Sequence, residues 1–397
     1  MKLLMKKTFF VFCILFIGNI SHSQTYQQAY ANVVNQCSQT NITTNLTEFE
    51  ALGLKRRGTA SLQNTLTWLK NKYTSYGYTA AQMQEDSFTN GTATCKNLIV
   101  TKVGTTYPNT YVIVCGHYDS IGGTGTNDNG SGVVAILEIA RLLKNVNTEY
   151  SIKFINFSGE EDGLIGSQHY VSNVVNSTSP KMDIRVVFNL DEVGGVAGLT
   201  NNTITCEKDM SNTPSTNNAV SATKTNELIA CVGLYSPLNT LLSYAYASDY
   251  MSFEDNNEII TGFFETNETT HKHTATDFLS NMDVVYNYNV AKAAIGATMH
   301  FAIASTTILD NDTFNNDFKV SFFPNPAKDT LNISKGDLLD TEYKFSLTDI
   351  NGKVVLYKDF TGARLIESIN VGNLSSGIYL AKLQTANHNV VKKVIIN

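Results

Sequence analysis

Charge is scarce in this chain: 16% of its 397 residues are Asp, Glu, Lys or Arg, and the formal net charge is -6. With no basic excess there is no electrostatic footing for nucleic acid or an anionic membrane surface, so neither is expected as a partner. Beyond the opening segment no apolar run approaches the ~20 residues a spanning helix needs, so no stable membrane span is expected. Cysteine is sparse as well, at 6 residues, with no CxxC pair and no cluster. That excludes a thiolate metal site.

What is present is a chain 42% hydrophobic and rich in Asn, Thr and Ser, long enough for two domains. Residues 1–23 have the layout of a secretory signal peptide: lysines among Met1–Lys7, an apolar run over Thr8–Ile20, then small residues before Gln24. Cys13 falls in that leader. Cys115 lies in an apolar stretch and reads as a buried thiol; export would permit bridges between Cys206 and Cys231 or between Cys37 and Cys95, though spacing leaves the pairing open.

The chemistry concentrates between Tyr111 and Glu161. Val112–Cys115 and Ile152–Phe157 are apolar with little alternation, as in strands buried on both faces of a parallel sheet. Ser131–Lys144 between them reads as a helix, with Glu138, Arg141 and Lys144 on one stripe. The result is a βαβ unit, and a further strand is expected at Ile184–Leu190. Helices are expected over Thr25–Gln36, Thr59–Tyr76, Ile165–Val175, Glu227–Ala247 and Val284–Ala304, and a strand over Ile259–Phe264. Met83–Phe88 and Asn97–Val103 suggest a pair of sheet-edge strands, and the polar Leu199–Thr225 an insertion. The expected fold is α/β, a mixed, mostly parallel sheet flanked by helices over residues 24–305. Residues 306–318 read as an Asn/Asp-rich linker, and 319–397 as a small all-β sandwich of short alternating strands with an Asn351-Gly352 hairpin turn.

Singly, each polar residue of the core region has an ordinary explanation. His117 fits a satisfied core histidine, Asp128 an Asx turn or helix cap, and Glu160-Glu161 a solvated turn. Jointly they mean more. Successive strand ends supply His117, Glu160 with Glu161, and Asp191; a loop supplies Asp128; and His273 follows a later strand. In an open α/β sheet these ends border the ligand crevice. Two imidazoles with several carboxylates are a ligand set for borderline divalent metals such as zinc, with one carboxylate to spare as a base. Two cations roughly 3.5–4 Å apart repel, so a bridging carboxylate is required, for which Asp128 is the candidate.

His117-x-Asp119, Asn127-Asp128-Asn-Gly-Ser-Gly132, Gly159-Glu160-Glu161, Asp191 and His273-Thr-x-x-Asp277 resemble, in order and context, the secreted co-catalytic zinc aminopeptidases of the bacterial leucyl aminopeptidase family. The resemblance spans about Leu66 to Ala304 and implies the zinc exopeptidase fold and two Zn2+ per chain. It implies that His117 and Asp191 hold one zinc, Glu161 and His273 the other, and Asp128 bridges. Glu160 would be the general base acting on a metal-bridging hydroxide, and Asp119 would orient His117. The substrates implied are peptides with a free N-terminus. Two departures stand out: Tyr250 replaces a helper histidine in Ser248-Asp249-Tyr250, and Lys272 stands where some relatives place an oxyanion-steadying tyrosine. Lys272 or a zinc is therefore expected to carry that charge. His271 is a rival to His273, disfavoured by the Thr-x-x-Asp that follows His273.

The tail resembles the C-terminal sorting domain of type IX secretion through Pro324-Asn-Pro326, Asp349-Ile-Asn-Gly-Lys353, Gly377-Ile-Tyr379 and a lysine-bearing last strand. It implies export through the periplasm to the medium or cell surface and a partner in that secretion machinery. A generic β-sandwich binding carbohydrate or protein is the other reading of the tail. For the larger unit the alternatives are a single-zinc glutaminyl cyclase-like transferase on the same fold and a non-catalytic surface binding protein. Dipeptidase or carboxypeptidase relatives would carry an inserted dimerisation domain, which the sequence lacks.

Overall fold

The computed structural model describes residues 24–305, 320–334, 342–349, 352–361, 366–385 and 389–397. The signal-peptide and linker expectations, Cys13 and most of the Asn351-Gly352 turn lie outside these residues. The chain divides into two compact units, one on each side of residue 306.

The larger unit is built on an eight-stranded sheet: β1 (Met83–Asn90), β2 (Ala93–Lys102), β3 (Tyr107–His117), β4 (Tyr150–Phe157), β5 (Asp183–Leu190), β6 (Thr203–Lys208), β7 (Asn239–Tyr244) and β8 (Ile260–Glu265). Their order is β1-β2-β4-β3-β5-β8-β6-β7. The central four, β4, β3, β5 and β8, are parallel; β1, β2 and β6 join antiparallel. Strand β3 shows why an unbroken apolar run suits this position. Val112 and Val114 point into the larger core on one face, and Ile113 and Cys115 into a second core on the other.

Helices α1 (Gln28–Val34), α2 (Gln39–Ala51), α3 (Ala60–Ser75) and α4 (Gly130–Leu143) precede α5 (Ile165–Tyr170), α6 (Asn218–Tyr235), α7 (Tyr250–Glu254) and α8 (Val284–Phe301). The side chains of Ser38, Thr59, Asn129 and Asp283 accept backbone N–H groups at the starts of α2, α3, α4 and α8, which satisfies donors a helix leaves open. The polar stripe of α4 is only partly solvated. Glu138 is fully buried, accepts the backbone N–H of Ser38 at 2.7 Å and pairs with Arg141 at 2.6 Å, joining α4 to the start of α2.

Several expectations require correction. Helix α2 was not anticipated; its apolar Ile42, Leu46 and Phe49 are diluted by Thr and Asn. The stretch Leu199–Thr225 is no mere insertion, because β6 lies within it and pairs with β8. The helix expected to reach Ala247 stops at Tyr235: Pro237 lacks the N–H to continue it and biases Ser236 to the extended conformation it adopts, and β7 follows. Cys37, Cys95, Cys115, Cys206 and Cys231 are all buried free thiols, so neither bridge forms.

The smaller unit packs a three-stranded sheet, β9 (Ser321–Phe323), β10 (Thr330–Ser334) and β13 (Ile366–Asn370), against a four-stranded one, β11 (Glu342–Asp349), β12 (Val354–Thr361), β14 (Gly377–Gln384) and β15 (Asn389–Ile396). Among the described residues every pairing between its strands is antiparallel, and alternate residues such as Leu331, Ile333, Phe345, Leu347 and Leu383 form its own core. No helix among the described residues is long and apolar enough to cross a membrane.

Candidate metal centre

Parallel pairing brings the carboxyl ends of β3, β4, β5 and β8 to one edge of the sheet: His117 is level with Phe157, Cys115 with Asn189, and Leu190 with Phe263. His117 closes β3. Its Nε2 is 3.2 Å from Asp128 Oδ1, 3.3 Å from Asp191 Oδ1 and 3.8 Å from Glu160 Oε2. His273 approaches from the far side, with Nε2 3.1 Å from Asp128 Oδ2 and 2.9 Å from Glu161 Oε2. Asp128 thus turns one carboxylate oxygen to each imidazole. His273 adopts φ +56°, a left-handed backbone disfavoured for a residue with a Cβ, and such local strain is held only by surrounding structure.

The loop carrying Asp128 is held from several sides. Asp277 accepts the backbone N–H groups of Asn127 at 2.8 Å and Asp128 at 3.1 Å. Asn129 accepts from Gly132 N at 2.9 Å, capping α4, and donates to the Leu190 carbonyl at 2.9 Å. Gly132 is required here, since a Cβ would stand 2.4 Å from both Asn129 Oδ1 and the Leu190 carbonyl. Lys55 is wholly buried below the loop, donating to the Thr124 carbonyl at 2.7 Å and the Gly53 carbonyl at 2.8 Å; burial pushes its ammonium down to about 7.

Asp119 takes a different part from the one expected. His117 Nδ1 meets the main-chain oxygen of Asp119 at 3.1 Å, and the nearer carboxylate oxygen is 3.7 Å away. The carboxylate instead accepts the backbone N–H groups of Glu160 and Glu161, each at 3.3 Å, and so holds the turn that presents both. Ser248, not anticipated, donates to Asp191 Oδ2 at 2.6 Å and accepts from Asn189 Nδ2 at 2.8 Å. The only cue to Ser248 in the sequence was its place in the Ser248-Asp249-Tyr250 departure.

Electrostatically the cluster is short of positive charge. Burial, reinforced by Asp191, Asp249 and Asp119, holds the Glu160 carboxyl well above the ordinary range against the pull of His117. Burial and Asp128 push Glu161 up to about 9. Burial opposes protonation of His117, but the carboxylates of Asp191 and Glu160 override it and raise its pKa. Asp128, despite burial, is held low by its hydrogen bonds to both imidazoles. Asp191 Oδ1 is buried without a hydrogen-bond partner. Imidazole nitrogens and carboxylate oxygens without thiolate suit zinc, and a divalent cation would relieve both the crowding and the orphaned oxygen. One ligand atom each from His117, Asp128 and Glu161 already lies within 4.8 Å of the others.

All the candidate ligands and Glu160 therefore meet at one point. His271 does not join them; its ring nitrogen is 2.8 Å from Thr276 Oγ1. Lys272 is also engaged elsewhere, paired with Glu192 at 3.2 Å and with Glu268, so it is not a free charge awaiting an oxyanion.

Residues 97–298 match peptidase family M28, and residues 321–397 match the secretion system C-terminal sorting domain. Aminopeptidase YwaD of Bacillus subtilis (strain 168) is 46% identical over 84 residues, 21% of this chain and 18% of that relative, so the chain spans well under a third of its length. Among solved structures, the Legionella pneumophila LapA aminopeptidase shares the fold at a TM-score of 0.59 and 21% identity, over 70% of this chain and 77% of that one. A Macrostomum lignano glutaminyl cyclase does so at 0.60 and 13%, over 71% and 95%. Fold alone therefore does not separate hydrolase from cyclase.

Proposed function

This chain belongs to peptidase family M28, and from that premise we propose that it is an exported zinc aminopeptidase removing the first residue from peptides with a free N-terminus. The observation that carries the reading is Asp128 between two imidazoles with Glu160 alongside, 3.8 Å from His117. His117 and Asp191 would hold one zinc, His273 and Glu161 a second, and Asp128 both. Zinc there would supply Lewis acidity, polarising the scissile carbonyl and acidifying water.

The chain's own groups account for the rest. Glu160 removes the proton of the attacking water and returns it to the departing amine. Asp119 fixes Glu160 and Glu161 through their backbone N–H groups, so base and ligand move as one turn. Ser248 orients Asp191. The carboxylates of the centre attract the peptide's α-ammonium, so an unblocked N-terminus is expected to be required. The tail belongs to the sorting-domain class over residues 321–397, and we assign it delivery through the type IX machinery to the surface or medium. Residues 24–305 are taken as the peptidase domain and 319–397 as the sorting domain.

Metal analysis of purified protein together with aminoacyl-p-nitroanilides, with and without an N-terminal block, tests this. Two zinc ions per chain and cleavage of unblocked substrates alone are expected. One zinc, with cyclisation of N-terminal glutamine and no hydrolysis, would instead establish the cyclase reading; a metal-free, inert protein would leave a binding role.

A further inference from the structure

A cavity of about 710 Å³ opens onto the metal-centre residues, and its far wall is chemically distinctive. Glu207, on β6, lines it while 6% exposed. The Tyr250 hydroxyl donates to Glu207 Oε2 at 2.5 Å, which leaves Oε1 for the cavity. Tyr250 is itself fastened by the backbone N–H of Tyr246, which donates to its hydroxyl at 2.9 Å. Among the described residues no Lys, Arg or His pairs with Glu207, and burial pushes its carboxyl up to about 8. Glu192, also in the wall, is 7% exposed; Oε1 accepts from Lys272, and Oε2 is buried with no partner. Glu268 lines the rim and shares Lys272. The wall thus sets three carboxyl groups against a single ammonium. Glu265 lines the cavity too, but it is occupied by Asn127 and by the N–H groups of Gly195 and Thr269. Leu241, Tyr244 and Phe264 line the same cavity.

Resting on the aminopeptidase reading, we propose that this cavity receives the side chain of the peptide's first residue and selects lysine or arginine there. A long aliphatic stem lies along Leu241, Tyr244 and Phe264 while its cationic head reaches Glu207 Oε1, with Glu192 and Glu268 adding negative charge to the wall. Charge-assisted hydrogen bonds of this kind are the stronger class. Leucine or methionine would instead cover Glu207 Oε1 and leave it without a partner, which costs the desolvation of that oxygen. A purely structural Glu207 needs no ionisable group, since the amide oxygen of glutamine would accept from Tyr250 equally well. A site built around a buried polar group discriminates more sharply than one built on apolar contact, because the wrong ligand strands that group.

The test uses the zinc-loaded full chain and p-nitroanilides of lysine, arginine, norleucine, leucine and methionine. Norleucine carries a lysine-like stem without the ammonium, so the lysine-to-norleucine ratio isolates the charge and needs no variant. The wild type is expected to favour lysine over norleucine by about ten-fold or more in kcat/KM, mainly through KM. Glu207→Gln is expected to reduce that ratio by a similar factor, and Glu268→Gln, at the exposed rim, by less. Equal or better turnover of norleucine, leucine or methionine would overturn the selectivity while leaving the aminopeptidase reading intact. Failure to cleave any of the five would sink the aminopeptidase reading and this inference with it.

Discussion

The carboxylate of Asp277 accepts the backbone N–H of Asp128 across 149 positions of sequence, at 3.1 Å, and that of Asn127 at 2.8 Å. Asp128 is therefore held by a residue four places beyond His273, so one short loop supports the Asp128 backbone and carries the second imidazole.

Asp277→Asn replaces one of the two accepting oxygens with a donor that faces an N–H. Zinc affinity is expected to fall about ten- to hundred-fold, as for other groups that orient ligands. Competition with a chromophoric chelator measures it, and an unchanged far-ultraviolet spectrum separates it from unfolding. Undiminished affinity would remove Asp277 from the support of the site.

Glu160→Gln keeps the side chain's shape and removes its basicity. The expected result is kcat lower by about 10²–10⁴ with both zinc ions retained. Near-normal turnover in the fully metallated variant would mean that another group moves the proton.

His300 lies in α8, far from the centre, where its Nε2 is 2.9 Å from the Tyr235 hydroxyl, and burial pushes its pKa down to about 4. The unfolded chain takes up a proton at this residue near ~6.5, while the folded chain resists until about 4. In that window the unfolded state binds more protons, so stability falls as pH drops from about 6.5 to 4. His300→Asn should flatten that part of the profile. Urea midpoints at pH 7, 5.5 and 4.5 for both proteins check it, and parallel profiles would show that His300 titrates alike in both states.

Each unit has its own core, so a chain ending at residue 305 should keep its peptidase activity. In cells it should accumulate in the periplasm instead of reaching the surface or medium. Fractionation and activity assays read the two effects separately; normal export of the shortened chain would exclude a sorting role for the tail.

The departures from expectation have a common origin. Strand β7 and the antiparallel β6 are short and stabilised by neighbours: Glu207 aligns with Gly262 and Ser243 only after the chain has turned twice. Helix α2 owes its place to Ile42, Leu46 and Phe49 entering the core. No local pattern of six or thirteen residues is strong enough to announce such elements against tertiary override.

Residue order alone determined the βαβ frame, the two-domain division and the shared edge of His117, Glu160, Glu161 and Asp191, because strand ends in a parallel sheet meet there; loops bring Asp128 and His273 to it, and their motifs made them legible. Only the folded chain decided that Asp119 serves the N–H groups of Glu160 and Glu161, that Lys272 is spent on Glu192 and Glu268, and that Tyr250 holds Glu207 toward the cavity. Those are partnerships between side chains and distant groups, set by packing at the scale of a single hydrogen bond, and periodicity carries no information at that scale.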